Sequence, residues 1–205
     1  MPIITRLDKI QGMHPCVRIY LDGHFAFSLE PETATCLEKD QFISDAELEN
    51  LVRASESEHA LATALRLLER RPHSRLEMEQ KLIRRQFSEV AVARTIDHLT
   101  ARRLLDDGEF ARAWCENRDA FRPRSRSFIK AELREKGVAP EDIQVATMGM
   151  DDEASALQAG EKRVRVLAHV DYNTFYRRLG DYLRRRGYNY EVIKITVNKL
   201  WQARE

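Results

Sequence analysis

The sequence predicts a mostly α-helical chain: three tandem three-helix units in an elongated, curved array, behind an N-terminal β-hairpin. Three observations carry this. RPHSR at 71–75 returns as RPRSR at 122–126. Beyond the motif, apolar positions keep step. Leu82 falls on Leu133 and Leu183, and Phe87 on Val138 and Tyr188. Val92 falls on Ile143 and Ile193, and Leu99 on Met150 and Leu200, while Ile96, Thr147 and Val197 keep step with one polar member. Spacing kept better than letters marks a repeated structural unit. Finally, the hydrophobic period changes from two to helical near Glu56.

The elements follow in order. VRIYLDGHFAFSL at 17–29 alternates around Asp22-Gly23. Asp-Gly between strand-like runs signals a hairpin, because both turn residues accept positive φ. Val17, Ile19 and Leu21 are expected on one face, and Phe25, Phe27 and Leu29 together on one face of the return strand. Glu30-Pro31-Glu32 breaks that strand, and Ser44-Asp45 starts a helix ahead of AELENLVRA. In ESEHALATALRLLERR, Leu61, Leu65 and Leu68 share a helical face until Pro72 stops it. Helices follow near 75–86 and 88–104, the latter with Ser88 as N-cap.

The second unit is read as helices near 107–121, 126–136 and 140–148. Gly137 caps the middle one and Pro140 suits the first turn of the last. The third unit is read near 152–168, 173–186 and 189–203, with Gly187 as the matching cap. Gln86 holds that place in the first unit. If the position takes positive φ, glutamine costs up to about 1 kcal/mol relative to glycine. The organisation is therefore 1–55 (hairpin and short helix), then repeats at 56–105, 106–150 and 151–205. Helices this short are marginal alone, so stacking must supply the stability. A stacked array offers a long concave face, suited to a macromolecular partner.

Composition bounds the setting. No apolar run approaches the roughly 20 residues that span a bilayer. MPIITRLDKI is too short and polar for a secretory signal, so a cytoplasmic protein is expected. Cys16, Cys36 and Cys115 are odd in number and scattered, which argues for reduced thiols. Net charge is +1, unevenly placed: residues 1–55 carry −4 and the remainder +5. The 26 arginines against 8 lysines suit acidic partners, though genome composition gives the same bias.

Signs of chemistry are sparse. The eight glycines form no phosphate loop. No G-x-S-x-G is present. His14, His24, His59, His73, His98 and His169 never pair at the i, i+4 spacing of a zinc helix. Asp106-Asp107 and Asp151-Asp152 could hold a metal, but each sits where a helix begins, where carboxylates satisfy free N–H groups. Neither a cofactor nor an enzymatic activity is expected. Trp114 and Trp201 occupy packing positions, and Tyr182 among Arg178, Arg184 and Arg185 is the one local candidate for base stacking.

Arginines gather around the second helix of each unit. They are Arg84 and Arg85 in the first, then Arg122, Arg124, Arg126 and Arg134 in the second. In the third they are Arg177, Arg178, Arg184, Arg185 and Arg186. If the units stack regularly, these fall along one side, as a track for phosphates or for an acidic protein surface. A solvated helix face with arginines paired to glutamates is the plain alternative.

With the repeats laid out, the chain resembles the RecX family, bacterial regulators of the RecA recombinase. The resemblance rests on VRIYLDGHFAFSL, ALATALRLLERRPHSRLEMEQKL, IDHLTARRLLDDGEFARAW, IKAELREKGV and LRRRGYNYEVIKITV, and covers roughly residues 3 to 203. Gln86 departs from the family's glycine. The resemblance implies helix-turn-helix-like repeats and a non-enzymatic protein; a monomer is expected. It would bind the RecA nucleoprotein filament in its groove and suppress filament growth, ATP hydrolysis and strand exchange. Direct binding of single-stranded DNA through the basic face is the alternative.

Overall fold

The computed structural model describes residues 1–12 and 15–203. His14 lies outside the described residues. The chain divides into two compact units. The first holds Met1–His73 and Glu77–Leu105; the second holds Ser74–Leu76 and the chain from Asp106 onward.

The first unit opens with an antiparallel sheet of order β1-β2-β3, comprising β1 (Ile4–Ile10), β2 (Cys16–Leu21) and β3 (His24–Leu29). The predicted turn is there: Asp22 and Gly23 take φ of 48° and 86°. β1 extends the expected hairpin to three strands; its polar run Thr5-Arg6 and Asp8-Lys9 hides any alternation. Val17, Ile19, Phe27 and Leu29 are buried together, with Leu48, Leu51 and Ala54 packed against them. Phe25 does not join them. The register slips between Ile19 and Tyr20, so Ile19 faces Phe27 while Tyr20 faces Phe25. The extra residue, Ala26, turns Phe25 to the opposite face, where it is 56% exposed.

Ser44 starts α1 (Asp45–Leu68) with a capping box: its side chain accepts from Glu47 N–H while the Glu47 carboxylate accepts from Ser44 N–H. α1 runs unbroken through Glu56, since no Gly or Pro interrupts 45–68, so the expected short and long helices are one. Its later turns bury Ala64 and Leu67 with Met78, Leu82, Val92, Leu99 and Leu105. Those partners come from α2 (Arg75–Ile83), α3 (Glu89–Ala101) and the turn after it. Ser88 caps α3 as expected, accepting from Ala91 N–H.

The second unit continues with α4 (Asp107–Phe121), α5 (Arg126–Glu135) and α6 (Pro140–Ala146). Then come α7 (Asp152–Val164), a short 3-10 turn at Arg165–Leu167, α8 (Tyr172–Arg184) and α9 (Tyr190–Gln202). Each set closes its own core. Phe110, Ala111, Cys115, Ile129, Leu133, Val138 and Ile143 form one, and Phe175, Leu179, Leu183, Tyr188, Ile193 and Val197 lie in the next. Thr147, the polar member of the periodic set, is fully buried. Its hydroxyl donates to Ile143 C=O at 2.7 Å, which satisfies it without a foreign partner. Cys115 is buried, and burial pushes its thiol up to about 11. Among the described residues no helix is long and apolar enough to cross a membrane.

The best-kept letters of the repeat have a common geometry. Phe87, Val138 and Tyr188 each donate N–H to the C=O of Leu82, Leu133 and Leu183 respectively. Gln86, Gly137 and Gly187 donate to Ile83, Arg134 and Arg184, and take φ of 67°, 77° and 88°. This is a Schellman closure, and the aligned apolar pairs are the contact that accompanies it.

Candidate partner-binding surface

The arginines are positioned by the ends of the middle helices, so those ends come first. Within the second unit, the chain entering α5 lies on the closing turn of α8. Ser125 N–H donates to Arg186 C=O at 3.0 Å, and the Arg186 guanidinium donates to Pro123 C=O at 2.8 Å. A Cβ at Gly187 would stand 2.6 Å from Ser125 Oγ and 2.9 Å from Phe128 Cβ. The chain entering α2 repeats the pattern. Ser74 Oγ donates to Lys136 C=O at 2.7 Å, and a Cβ at Gly137 would meet Leu76 Cβ at 2.8 Å. Gly137 and Gly187 thus answer two demands, a left-handed backbone and a neighbour's close approach. Gln86 is exposed and meets only the first.

The acidic pairs complete this seam. Asp106 and Asp151 cap their own helices, accepting from Glu109 N–H, and from Glu153 and Ala154 N–H. Their neighbours reach elsewhere: Asp107 accepts from Arg75 N–H at 2.9 Å and Asp152 from Arg126 N–H at 2.6 Å. Each second aspartate thus satisfies the free first N–H of a middle helix. Burial, first among several causes, raises the Asp107 carboxyl above its ordinary range. Ser-Arg is therefore written twice because it makes matching contacts twice, both within the second unit. Among the described residues, no group of three or more His, Cys, Asp or Glu side chains is placed to hold a metal.

A second network centres on Glu132 of α5. Its carboxylate accepts from Trp114 Nε1 (2.9 Å), from Arg118 Nε (2.8 Å) and Nη2 (3.1 Å), and pairs with Arg124 Nη1 (3.2 Å). Arg118 and Lys136 also lie over the Trp114 ring, at 4.4 and 4.2 Å from its centroid, and Arg124 lies over Phe128 at 4.3 Å.

These contacts sort the candidate arginines. Arg124, Arg126 and Arg186 are half-buried in the frame: Arg124 on Glu132, Arg186 on Pro123 and over Tyr182. Arg126 lends its N–H to Asp152. Its Nε, like that of Arg124, is buried with no hydrogen-bond partner among the described residues. Arg184 pairs with Asp181, and Arg85 bonds Lys81 C=O. Arg84, Arg122, Arg134, Arg177, Arg178 and Arg185 are exposed, their side chains free of ion pairs and hydrogen bonds among the described residues. The sequence does not separate the groups, because Arg186 meets Pro123 from 63 residues away and the letters do not show that Arg124 turns onto Glu132 of α5. Tyr182 is half-buried, with Arg186 4.5 Å and Arg163 5.8 Å from its ring centroid. Trp201 packs edge-on against Tyr172 and Phe175.

Known proteins place this arrangement. The first three-helix domain of RecX matches residues 60–99, the second 106–146 and the third 151–197. The chain belongs to the RecX family. Among curated RecX relatives, the regulatory protein RecX of Chlorobium limicola is 33% identical over 70% of this chain and 91% of its own length. That of Mycobacterium marinum is 38% identical over 67% of this chain and 82% of its own. That of Lactobacillus johnsonii, 28% identical, covers 98% of this chain and 75% of its own. A crystal structure of regulatory protein RecX matches the fold with a TM-score of 0.70 at 18% identity, over 97% of this chain and all of the other. RecX from Lactobacillus salivarius matches at 0.59 and 21% identity, over 72% and 97%.

Proposed function

We propose that this RecX-family chain is a non-enzymatic, cytoplasmic regulator of the RecA recombinase. It binds the RecA–DNA filament and suppresses filament growth, ATP hydrolysis and strand exchange. The observation that carries this reading is the match of all three three-helix sets to a family whose curated members are named regulatory proteins. The exposed, unpaired arginines supply the contact surface, with Arg84, Arg134 and Arg185 each near the end of a middle helix. Regulation then works by differential binding: the chain shifts the filament only as far as it prefers one filament state over another.

The test is RecA's single-strand-dependent ATP hydrolysis, titrated with this chain at fixed salt. Inhibition is expected, and its stoichiometry separates the routes. Inhibition far below one chain per RecA points to filament ends, and inhibition near one per several subunits to groove coating. Unchanged hydrolysis over an intact filament overturns the reading. If the arginines compete for DNA phosphates instead, inhibition collapses steeply as salt rises.

A further inference from the structure

The sheet face opposite the buried Val17, Ile19, Phe27 and Leu29 is built around Tyr20, and both neighbouring strands are distorted to build it. In β1 the register passes from Arg6↔Tyr20 to Ile4↔Leu21, leaving Thr5 extra. In β3 it passes from Ile19↔Phe27 to Tyr20↔Phe25, leaving Ala26 extra. The Thr5 hydroxyl holds the first bulge, donating to Tyr20 C=O (3.2 Å) and accepting from Gly23 N–H (3.0 Å). Two bulges beside one residue bring Arg6, Tyr20 and Phe25 into a single row across three strands.

The row has a definite chemistry. The Arg6 guanidinium lies 3.8 Å from the Tyr20 ring centroid, and Phe25 meets Tyr20 edge-on at 5.8 Å. Phe25 is 56% exposed. In the next row Asp8 faces Arg18, but Asp8 pairs with Arg6 at 3.1 Å. The exposed Arg18 therefore keeps its charge without an ion-pair partner among the described residues. Bulges re-aim side chains, and here they move a phenylalanine out of a core it would otherwise fill. A cross-strand aromatic pair stabilises a hairpin, but that role needs neither the exposed ring nor Arg18.

We propose that this open face binds single-stranded nucleic acid. A base stacks on Phe25 beside Tyr20, and Arg18 with Arg6 takes the adjoining phosphates. Aromatic rings set among arginines on an antiparallel sheet suit unpaired bases, because every base has a π-face. The site is separate from the helical arginines and does not rest on the RecA reading.

The experiment measures binding of a fluorescent oligo(dT) of about 20 nucleotides to the full chain, without RecA. The variants are Phe25→Ser, Phe25→Trp and Arg18→Ala, each checked by circular dichroism and melting. Phe25→Ser is expected to weaken binding at least about five-fold, the low end for one lost stack. Phe25→Trp is expected to retain affinity and show quenched tryptophan emission on binding. Arg18→Ala is expected to lower the salt slope by about one. The proposal is overturned by undetectable binding of the unaltered chain, or by a folded Phe25→Ser that binds as tightly. It is equally overturned if Phe25→Ser alters only RecA inhibition, which would make the face a protein contact.

Discussion

The closing turns of α2 and α8 share a backbone and differ in what lies on them. Gln86 and Gly187 both take positive φ, at 67° and 88°. At Gly187 the chain entering α5 leaves no room for a Cβ, whereas Gln86 is exposed. The departure from glycine in the first repeat thus follows from its surroundings: a left-handed residue tolerates a side chain where nothing is stacked on it. The comparison also says what RPHSR and RPRSR are for. Their serines and the N–H groups of their last arginines make matching contacts within the second unit, so some of the arginines beside them serve the frame while others remain free.

The comparison breaks most directly at the crowded turn. Gly187→Gln is expected to destabilise by about 3 kcal/mol, combining left-handed strain with overpacking against Ser125 and Phe128. Urea unfolding measures it, and a loss below about 1 kcal/mol would show that the neighbour yields easily. Next in size, Glu132→Ala leaves Trp114 Nε1 and two guanidiniums unpaired in a half-buried site. It is expected to cost about 2 kcal/mol, below the range for fully buried pairs because Arg124 is partly exposed. Ser125→Ala removes the cap that accepts from Phe128 N–H and is expected to cost about 1 kcal/mol by the same measurement. At the open turn the sign reverses: Gln86→Gly is expected to stabilise by up to about 1 kcal/mol.

The smallest effect is one of pH. His73 is buried, and burial followed by the nearby Arg71 charge lowers its pKa below the ordinary value. The folded chain then binds fewer protons than the unfolded one. This contribution is fully present above about pH 6.5 and is lost as pH falls from there toward the lowered value. Melting between pH 7.5 and 5.5 should show a shallower pH dependence in a folded His73→Gln variant.

Much of this was legible in the sequence, for physical reasons. Leu82, Leu133 and Leu183 can be matched because a Schellman closure is commonly accompanied by an apolar pair at fixed spacing. The positive φ at Gln86 could be anticipated from Gly137 and Gly187. The acidic pairs were legible as caps, but only in half their role: that Asp107 and Asp152 reach the starts of other helices depends on folding. β1 is not legible because Arg6 and Asp8 on its outward face are charged and its bulge breaks the alternation. Phe25 does not share the face of Phe27 and Leu29 that the alternation predicts, because a one-residue bulge reverses every side chain beyond it and leaves no mark in the letters. The arginines are the least legible, since the order of residues does not show which of them meet Glu132 or Pro123.

The measurement that tests the central claim most directly uses the free arginines alone. A triple variant, Arg84→Glu, Arg134→Glu and Arg185→Glu, alters exposed side chains with no ion pair among the described residues. It is expected to keep the helical content and melting behaviour of the unaltered chain while losing inhibition of RecA's single-strand-dependent ATP hydrolysis. A folded triple variant that inhibits as strongly as the unaltered chain would contradict the account.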